Sequence, residues 1–376
     1  MTSQQFDVII IGGGLAGLTS AIDLSKNNFK VLLIEKNSFP KHKVCGEYVS
    51  NEVLPYLEYL GFNPFEFGAK RITNFELTTH NNKTIQTELP LGGFGMSRYE
   101  MDFQLYQLAL KQKVTVLKDT VINVIFENDV FSVQTKSGQS FTSKITMGAF
   151  GKRSNLDTTL QRSFITKKSP YLGVKIHMSG NFPENKVALH NFQGGYCGVS
   201  KVENDHINLC YITNYEAFKR YKDIDAFQND VIFKNLALKE LFQNSNIEFD
   251  KPLTISQISF ETKNPIENHM IMCGDSAGMI HPLCGNGMAM AIRSAQLASG
   301  LIIDYLQNKI DTRAALERKY AKVWNKTFSL RLKVGHSIAY LFRQDWLAPK
   351  LLVVLRRVPF LIPLIIRMTH GKPIKV

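Results

Sequence analysis

Glycines at a fixed spacing form the first candidate binding site in the chain. An apolar run over residues 6–11 is followed by Gly12, Gly14 and Gly17, by an amphipathic stretch, and by a second apolar run that ends in Glu35. This G-x-G-x-x-G spacing predicts a βαβ unit whose tight turn brings the free N–H groups of a helix N-terminus to a pyrophosphate. Glu35 is placed to bind both hydroxyls of a ribose, and it would repel a 2′-phosphate. We therefore predict a bound FAD or NAD rather than NADP.

A second glycine-rich segment occupies residues 271–291. An apolar run ends at Asp275, and a turn with Pro282, Gly285 and Gly287 leads into a helical pattern. An aspartate at a strand end can accept a hydrogen bond from a sugar or ribityl hydroxyl, and glycines at a helix N-terminus let backbone amides approach a ring system. The alternative is an ordinary strand–turn–helix in which Asp275 is a cap. We interpret the segment as a second ligand-binding wall.

These segments resemble the glutathione-reductase-type FAD proteins of the para-hydroxybenzoate-hydroxylase fold. That superfamily includes the group A flavin monooxygenases, the flavin halogenases and the geranylgeranyl reductases. Residues 274–291 are similar to its second FAD motif, and residues 40–47 resemble the Pro…Lys-x-Cys-Gly segment of the reductase and halogenase branches. Arg98, which follows Ser97, resembles its FAD-contacting arginine. The resemblance extends over roughly residues 5–330.

The resemblance implies FAD as the cofactor and assigns site residues to this sequence. The implied FAD contacts are Gly12, Gly14, Leu15, Ala16, Gly17, Glu35, Lys36, Lys43, Cys45, Gly46, Arg98, Asp275, Gly285, Asn286, Gly287 and Met288. His281 and Pro282 are the candidate catalytic residues. His281 could act as an acid or base near the flavin edge, and the alternative is a packed loop histidine. Phe94, Phe192 and Tyr196 either line a substrate pocket or belong to the core, and no metal site is expected.

Two departures from the superfamily pattern affect the expected function. Residues 148–154 match Gly-Ala-Asp-Gly-x-Arg-Ser, except that Phe150 replaces the aspartate, which in the hydroxylases helps to bind FAD and nicotinamide. This change puts in doubt how NAD(P)H would reduce a flavin here. Residues 196–201 lack the tryptophan and the proline of the reductases and halogenases, which argues against a halogenase and weakens the prenyl-reductase interpretation.

The preferred hypothesis is an FAD-dependent monooxygenase. NADH or NADPH would bind transiently as the electron donor, since the sequence has no second G-x-G-x-x-G unit. A flavin C4a-hydroperoxide formed with O₂ would then hydroxylate a lipophilic aromatic or polyketide-like small molecule. The alternatives are a flavoenzyme that saturates isoprenoid C=C bonds, like a geranylgeranyl reductase, and a non-catalytic protein that binds flavin or lipid.

Composition limits the remaining partners. The 376 residues carry a net charge of +13, with 44% hydrophobic and 20% charged residues, which is typical of a globular chain. Nucleic-acid-binding motifs are absent, so no nucleic-acid partner is expected. The five cysteines are irregularly spaced and favour neither a zinc site nor a disulfide framework. A signal peptide is not evident, so we expect a cytoplasmic protein.

The C-terminal residues 346–376 are basic, apolar and free of acidic residues. Arginines and prolines interrupt the apolar run, so a spanning helix is not expected. The composition fits an interfacial element on an anionic membrane, which would make the protein peripheral on the inner face. The alternative is a helical hairpin that caps the substrate cavity.

The elements that must position these residues indicate an α/β plus β fold. We expect a Rossmann-like FAD-binding domain (1–70, 99–155 and 262–330) interleaved with an antiparallel-sheet substrate domain (71–98 and 156–261), followed by a helical C-terminal segment (331–376). Predicted strands cover 71–79, 83–89, 114–117, 121–127, 130–135, 144–149, 253–260 and 269–273, with a meander over 171–213. Predicted helices cover 51–61, 100–113, 214–245 and 286 to about 343, and residues 91–97 are expected to be a glycine-rich connector.

Overall fold

The computed structural model describes residues 4–79, 81–167, 169–221, 223–256, 258–343, 348–358 and 360–376. The strands are β1 (Gln4–Ile11), β2 (Val31–Glu35), β3 (Tyr48–Ser50), β4 (Lys70–Thr78), β5 (Thr84–Gly95), β6 (Thr115–Lys118), β7 (Val121–Glu127), β8 (Val130–Thr135), β9 (Ser140–Gly148), β10 (Tyr171–Gly180), β11 (Lys186–Phe192), β12 (Gly195–Lys201), β13 (Ile207–Asn214), β14 (Ser245–Ile247), β15 (Leu253–Ser256), β16 (Ile266–Glu267) and β17 (Met270–Met272). The α-helices are α1 (Leu15–Lys26), α2 (Leu54–Leu60), α3 (Arg98–Lys111), α4 (Asn155–Thr159), α5 (Tyr215–Lys219), α6 (Ile224–Asp230), α7 (Leu236–Gln243), α8 (Gly287–Leu306), α9 (Arg313–Arg343), α10 (Ala348–Arg357) and α11 (Leu361–Thr369).

The first sheet is built on parallel strands in the order β17-β9-β1-β2-β6. β1 and β2 are continuous apolar runs because parallel strands buried on both faces have no solvent side. The antiparallel hairpin β7–β8 extends from β9, and both of its strands have the bounds predicted from sequence. Helix α1 packs against α3 and α8. The carboxyl ends of β1, β2 and β9 therefore meet beside the start of α1.

The second sheet has the order β14-β10-β13-β12-β11-β4-β5-β3, with β15 paired to β10. Its pairs are antiparallel except for β4 and β11. The predicted meander over 171–213 is therefore only partly right, since β10 pairs with β13 instead of with β11. The free edge of β11 is taken by β4, a strand from more than a hundred residues earlier, which no local pattern could indicate.

The glycines of residues 91–97 lie in a strand and not in the predicted connector. β5 continues to Gly95 and pairs with β3 and β4. A Cβ on Gly95 would overlap the carbonyl oxygen of Lys201, and a Cβ on Gly93 would overlap the ring of Tyr48. Glycine is required here because neighbouring backbone and ring atoms approach closely. β3 lies within the predicted FAD-binding segment 1–70, yet it pairs in the second sheet.

The C-terminal segment forms two short helices, α10 and α11, after the long helix α9, and we call this pair the C-terminal hairpin. α11 packs against α9 and β5, and Ile362 joins Leu77 and Ile85 of the second sheet in one apolar cluster. The tail returns to the body of the protein, where the backbone N–H of Ile374 donates to the carbonyl oxygen of Glu52 at 2.8 Å. Among the described residues, no helix is both long enough and apolar enough to cross a bilayer.

Candidate active site

A cavity of about 810 Å³ lies between the two sheets, within the size range of ligand pockets. Its lining divides into two regions by element. The first, the glycine-lined arm, is formed by the carboxyl ends of β1, β2 and β9, the start of α1 and α3, and the turn before α8. The second, the apolar chamber, is formed by Phe75, Leu77, Leu89, Val187, Leu189, Tyr196, Val199, Ile212, Leu253, Ile255, Ile258, Met279, Ile338, Leu341, Leu355, Ile362, Ile365, Ile366, Thr369 and His370.

Three glycines shape the turn at the start of the arm in different ways. Gly12 has φ +108°, and a Cβ there would overlap the carbonyl group of Ala149 on β9. A Cβ on Gly17 would overlap the carbonyl oxygen of Gly12, so the helix lies directly on the turn. Above Gly14, by contrast, the nearest atom to a Cβ would be Nη2 of Arg98, at 3.6 Å. Gly12 and Gly17 are therefore needed for close packing, whereas Gly14 leaves open space in the cavity.

Glu35 holds the glycine turn from the end of β2. Its Oε2 accepts from the backbone N–H of Gly13 at 2.7 Å, and its Oε1 accepts from the backbone and the side-chain amide of Asn37 at 2.9 and 2.7 Å. Both oxygens therefore have protein donors. The predicted role of Glu35 toward a ribose stays a prediction, and it would use the remaining lone pairs of this carboxylate.

Two cations share one buried carboxylate at the mouth of the arm. Arg98 donates from Nε and Nη2 to Asp102, each at 2.7 Å, and Lys43 donates to the same carboxylate at 2.7 Å. Burial alone would raise the pKa of Asp102, but Arg98 and Lys43 hold it below its usual value. The cluster carries a net positive charge beside Gly14, which suits a pyrophosphate.

The second wall is the turn between β17 and α8. The backbone carbonyl of Asp275 accepts from Nζ of Lys263 at 2.7 Å, and burial lowers the pKa of Lys263 to about 8. Gly285 has φ +63°, and a Cβ there would lie 3.3 Å from the ring of Tyr48. Nothing lies within 4 Å of a Cβ on Gly46 or Gly287. Gly14, Gly46 and Gly287 thus form an open cradle of backbone with a positive cluster at its mouth, which fits a dinucleotide such as FAD.

Most of the predicted cofactor residues lie together on this cavity. Those in its lining are Gly12, Gly14, Leu15, Ala16, Glu35, Lys36, Lys43, Cys45, Gly46, Arg98, Asp275, Gly285, Gly287 and Met288, joined by Pro282 and Tyr196. Gly17 lies beneath the turn. Asn286 is fully buried outside the lining, and its amide donates to the carbonyl oxygen of Thr369 at 2.7 Å.

Three other predicted residues lie away from the cavity. Nδ1 of His281 accepts from the backbone N–H of Leu283 at 3.3 Å, and its ring packs among those of Tyr171, Tyr196 and Phe260, so its geometry is that of a packed cap. Side chains alternate along β11, so Leu189 faces the chamber while Phe192 packs against Phe227 on the other face. Phe94 is fully buried and packs against Phe65 in the main core. Their positions are those expected for the alternatives stated from sequence, a packed histidine and core aromatics, and a catalytic role of His281 stays a prediction.

A buried charge cluster under the arm was missed by the sequence analysis. Glu47, which lines the cavity with φ +54°, accepts from the backbone N–H of Arg98 at 2.7 Å, from Nζ of Lys175, and from Nε2 of His177 at 2.9 Å. Burial alone would raise the pKa of Glu47, but Lys175 and His177 lower it. The cluster joins the loop before β3 to α3 and β10. Residues from three elements meet here, so their spacing in sequence carried no signal.

The hairpin contributes a second group of residues that the sequence did not assign. Ile362, Ile365, Ile366 and Thr369 recur at helical spacing and line the chamber, followed by His370. Nδ1 of His370 lies 3.0 Å from the carbonyl oxygen of Ile366, so we place its proton there. Nε2 is then the unprotonated nitrogen, and it is buried with no partner among the described residues. Burial also lowers the pKa of His370, which keeps the ring neutral.

Cysteine thiols line the cavity. Burial raises the pKa of Cys210, Cys273 and Cys284 to about 12, so these three side chains are protonated at neutral pH. Within the ranges that the structure describes, no three His, Cys, Asp or Glu side chains are placed to hold a metal ion.

Comparisons with known proteins agree with this geometry. Residues 7–45 match the family described as FAD dependent oxidoreductase, and residues 236–335 match squalene epoxidase. The chain is 25% identical over 338 residues to digeranylgeranylglycerophospholipid reductase 3 of Methanosphaera stadtmanae, covering 82% of this chain and 80% of that one. It is 22% identical over 349 residues to FAD-dependent monooxygenase olcE of Penicillium canescens, covering 80% and 72%. The structure of the flavin-dependent brominase Bmp2 matches with a TM-score of 0.79 at 18% identity, covering 97% of this chain and 93% of that one.

The chain therefore has the fold shared by flavin-dependent halogenases and monooxygenases. Its first βαβ unit matches the family described as FAD dependent oxidoreductase, and its relatives include both FAD-dependent monooxygenases and digeranylgeranylglycerophospholipid reductases. The resemblance predicted from the two glycine motifs is confirmed. These matches support FAD as the cofactor and oxidation–reduction as the class of activity.

Proposed function

We propose that the protein is an FAD-dependent monooxygenase that hydroxylates a lipophilic aromatic small molecule. The observation that carries this proposal is the apolar chamber, which is continuous with the glycine-lined arm in a single cavity. The twenty residues that define the chamber carry no carboxylate, ammonium or guanidinium group. The charged side chains of the cavity lining come from the end of β2 and the loop after it, from the start of α3, and from the segments after β9 and β17. A charged substrate buried in the chamber would have no counter-ion. For an apolar substrate, burial favours binding by about 25 cal/mol of free energy per Å² of surface removed from water.

The residues of the arm would hold FAD. The cradle of Gly14, Gly46 and Gly287 leaves room for it, and Arg98 and Lys43 supply positive charge for its phosphates. FAD, when bound, supplies the hydride acceptor and the centre that reacts with O₂. The hairpin that forms one wall of the chamber would exclude water from it. Placement of a flavin and an apolar substrate in one dry cavity is what this chemistry requires from a protein.

Two neutral polar groups can orient a phenolic substrate in the chamber. The hydroxyl of Tyr196 and Nε2 of His370 are both buried without a partner among the described residues. We assign Nε2 of His370 as the acceptor for the hydroxyl proton of the substrate, because its other nitrogen is committed to Ile366. A hydrogen bond from the substrate hydroxyl to this neutral nitrogen makes the aromatic ring more electron-rich at the carbon that is hydroxylated.

NADH or NADPH is the proposed electron donor, and Phe150 bears on how it binds. Phe150 lines the cavity where the resembling hydroxylases carry an aspartate. A phenyl ring offers stacking and no hydrogen bond. A donor that stacks its nicotinamide on this face, without a carboxylate partner, fits the residue that is present.

A reductase that saturates isoprenoid C=C bonds is the second candidate. Cys45 and Gly46 line the cavity within the segment that resembles the reductase branch. The digeranylgeranylglycerophospholipid reductase named above also aligns over most of the chain. An uncharged chamber suits an isoprenoid chain as well as an aromatic substrate.

The experiment follows the flavin absorbance of the purified protein under anaerobic titration with NADH and NADPH. Isotopically labelled O₂ is then admitted with a panel of long-chain phenols or with isoprenoid lipids. We expect bleaching by a nicotinamide and incorporation of label into a hydroxylated phenol. A saturated isoprenoid formed without O₂ uptake would establish the reductase instead. A protein that takes up no flavin would contradict both candidates.

A further inference from the structure

The outer face of the C-terminal hairpin is apolar and uncovered. Phe360, Leu364 and Met368 follow one another at intervals of four residues, so they share one face at α11. Their side chains are 71%, 51% and 39% exposed. Val353 and Val354 of α10 are also exposed. We call these five residues the outer apolar face.

The inner face of the same hairpin is apolar for a different reason. Leu355 and Ile362 are buried against Leu77 and Ile85 of the second sheet, and Ile366 lines the chamber. Core packing therefore explains why the inner side of the hairpin is apolar, but it does not explain the apolar residues of the outer apolar face. Exposed apolar residues that share one helix face, as Phe360, Leu364 and Met368 do, commonly mark an interaction site.

Basic residues frame the outer apolar face. Arg356, Arg357 and Arg367 are exposed, and within the described part of the chain none of them forms an ion pair. The sequence from 346 to the C-terminus contains no acidic residue. A second copy of this face would meet it with like charge, which disfavours self-association. Apolar side chains ringed by arginines are complementary to a bilayer that carries anionic headgroups.

We propose that the outer apolar face docks the protein on an anionic lipid bilayer, with Phe360 and Leu364 inserted at the interface and the arginines on the headgroups. The docking does not depend on the reaction class. The route by which a substrate would enter extends the proposed function, and this part of the proposal rests on it. The hairpin that would lie on the bilayer is also a wall of the chamber, so a lipophilic substrate would reach the chamber from the membrane.

Vesicle sedimentation with the full chain tests this proposal. We expect binding to phosphatidylcholine vesicles that contain phosphatidylglycerol and weak binding to phosphatidylcholine alone. Salt well above 0.1 M, where the Debye length is about 10 Å, should release the protein. Phe360→Ser with Leu364→Ser should weaken binding by about tenfold or more, since the apolar insertion is lost. Arg356→Gln with Arg357→Gln should weaken it by roughly fivefold per charge.

Matched variants on another surface provide the control. Leu236 and Ile247 are 59% and 52% exposed, and Lys219 and Arg220 are exposed cations on the helical side of the second sheet. Leu236→Ser with Ile247→Ser, and Lys219→Gln with Arg220→Gln, should leave vesicle binding within about twofold of the wild-type value. Equal losses in hairpin and control variants, or equal binding to neutral vesicles, would overturn the proposal.

Two further measurements distinguish membrane docking from self-association and from a failure of the proposed function. Self-association in size-exclusion chromatography without lipid, lost in Phe360→Ser with Leu364→Ser, would assign the face to a second copy. Flavin content, and turnover of a detergent-dispersed substrate, should be unchanged in the serine variant. Failure of vesicle binding with normal turnover would overturn the docking alone, whereas normal docking without turnover would contradict the proposed function alone.

Discussion

The side-chain amide of Asn286 donates to the backbone carbonyl oxygen of Thr369 at 2.7 Å. This buried bond joins the glycine turn before α8 to the last turn of the C-terminal hairpin. The next residue, His370, lines the chamber. The bond therefore ties the end of the hairpin to the turn that forms one wall of the glycine-lined arm.

Asn286→Ala should loosen the hairpin. The change leaves the Thr369 carbonyl buried without its donor, which costs about 1–3 kcal/mol in the free energy of unfolding. Urea denaturation measures the loss, and limited trypsin digestion should show faster cleavage after Arg356 and Arg367.

Asn208→Ala is the matched control for this variant. Asn208 is also fully buried, and its amide donates to the carbonyl oxygen of Cys45 at 3.3 Å. We expect a similar loss of stability with unchanged cleavage in the hairpin. Equal cleavage in both variants would mean that the bond from Asn286 does not hold the hairpin specifically.

Alanine at Gly12 and at Gly14 should have opposite effects. At Gly12 the added methyl group overlaps the Ala149 carbonyl at a strained φ, so we expect a loss of about 2–4 kcal/mol in stability. At Gly14 the methyl group has room, so the melting temperature should be retained while the dissociation constant for FAD rises about tenfold or more, because the methyl group occupies the approach of the pyrophosphate. Thermal unfolding and flavin fluorescence titration separate the two. Gly14→Ala with wild-type affinity would place the cofactor elsewhere.

Leu189→Trp should block the chamber without affecting the arm. Leu189 lies at the junction of two apolar clusters in the chamber wall, and an indole there takes up space that a substrate needs. We expect normal flavin content and at least a tenfold weaker response to an uncharged apolar fluorophore or a long-chain phenol. Leu236→Trp, at an exposed position on α7, should behave as wild type. Substrate binding that survives Leu189→Trp would show that the chamber is not the substrate site.

Stability should fall as the pH drops from about 6.5 toward 4, in part through His190. Asn235 donates to the hydroxyl of Thr78, which therefore donates to Nδ1 of His190 and holds the ring neutral. Burial lowers the pKa of His190 to about 4. The unfolded chain binds this proton near pH 6.5 and the folded chain does not, so acidification favours unfolding by about 2 kcal/mol at pH 5.

His190→Asn tests this contribution, since an amide oxygen can take the place of Nδ1 as the acceptor. Urea denaturation at pH 7.5 and at pH 5 gives the pH dependence of each protein. The variant should be less stable at pH 7.5, but its loss between the two pH values should be smaller than that of the wild type. An identical pH dependence in both proteins would contradict the assignment to His190.

Local segments were predictable because their determinants lie within a few tens of residues. The glycine turn, α1 and Glu35 form one continuous unit, and the alternation of residues 121–135 specifies a hairpin. Most of the residues predicted to bind the cofactor lie at the ends of such units and line one cavity for the same reason. Parallel strands place their carboxyl ends at one edge of a sheet whatever follows in the chain.

Which side of an element faces the cavity could not be predicted in the same way. Tyr196 and Phe192 have similar character in sequence, yet one lines the chamber and the other packs beneath the helices, because pairing with β4 and β13 sets which face of the sheet is covered. The glycines at 91–97 predicted a connector, and the close approach of Tyr48 and Lys201 that explains them comes from distant parts of the chain.

The sequence by itself determined the βαβ unit around the first glycine turn, the glycine-rich turn before α8, and the apolar, basic character of the C-terminus. Each of these depends on residue types at short spacing, where backbone geometry leaves few options. Only the tertiary structure decided that the C-terminal hairpin closes an uncharged chamber, that Asn286 holds it there, and that Glu47 lies in a buried charge cluster. Those relationships join residues far apart in the chain, and long-range packing, to which local propensity contributes nothing, brings them into contact.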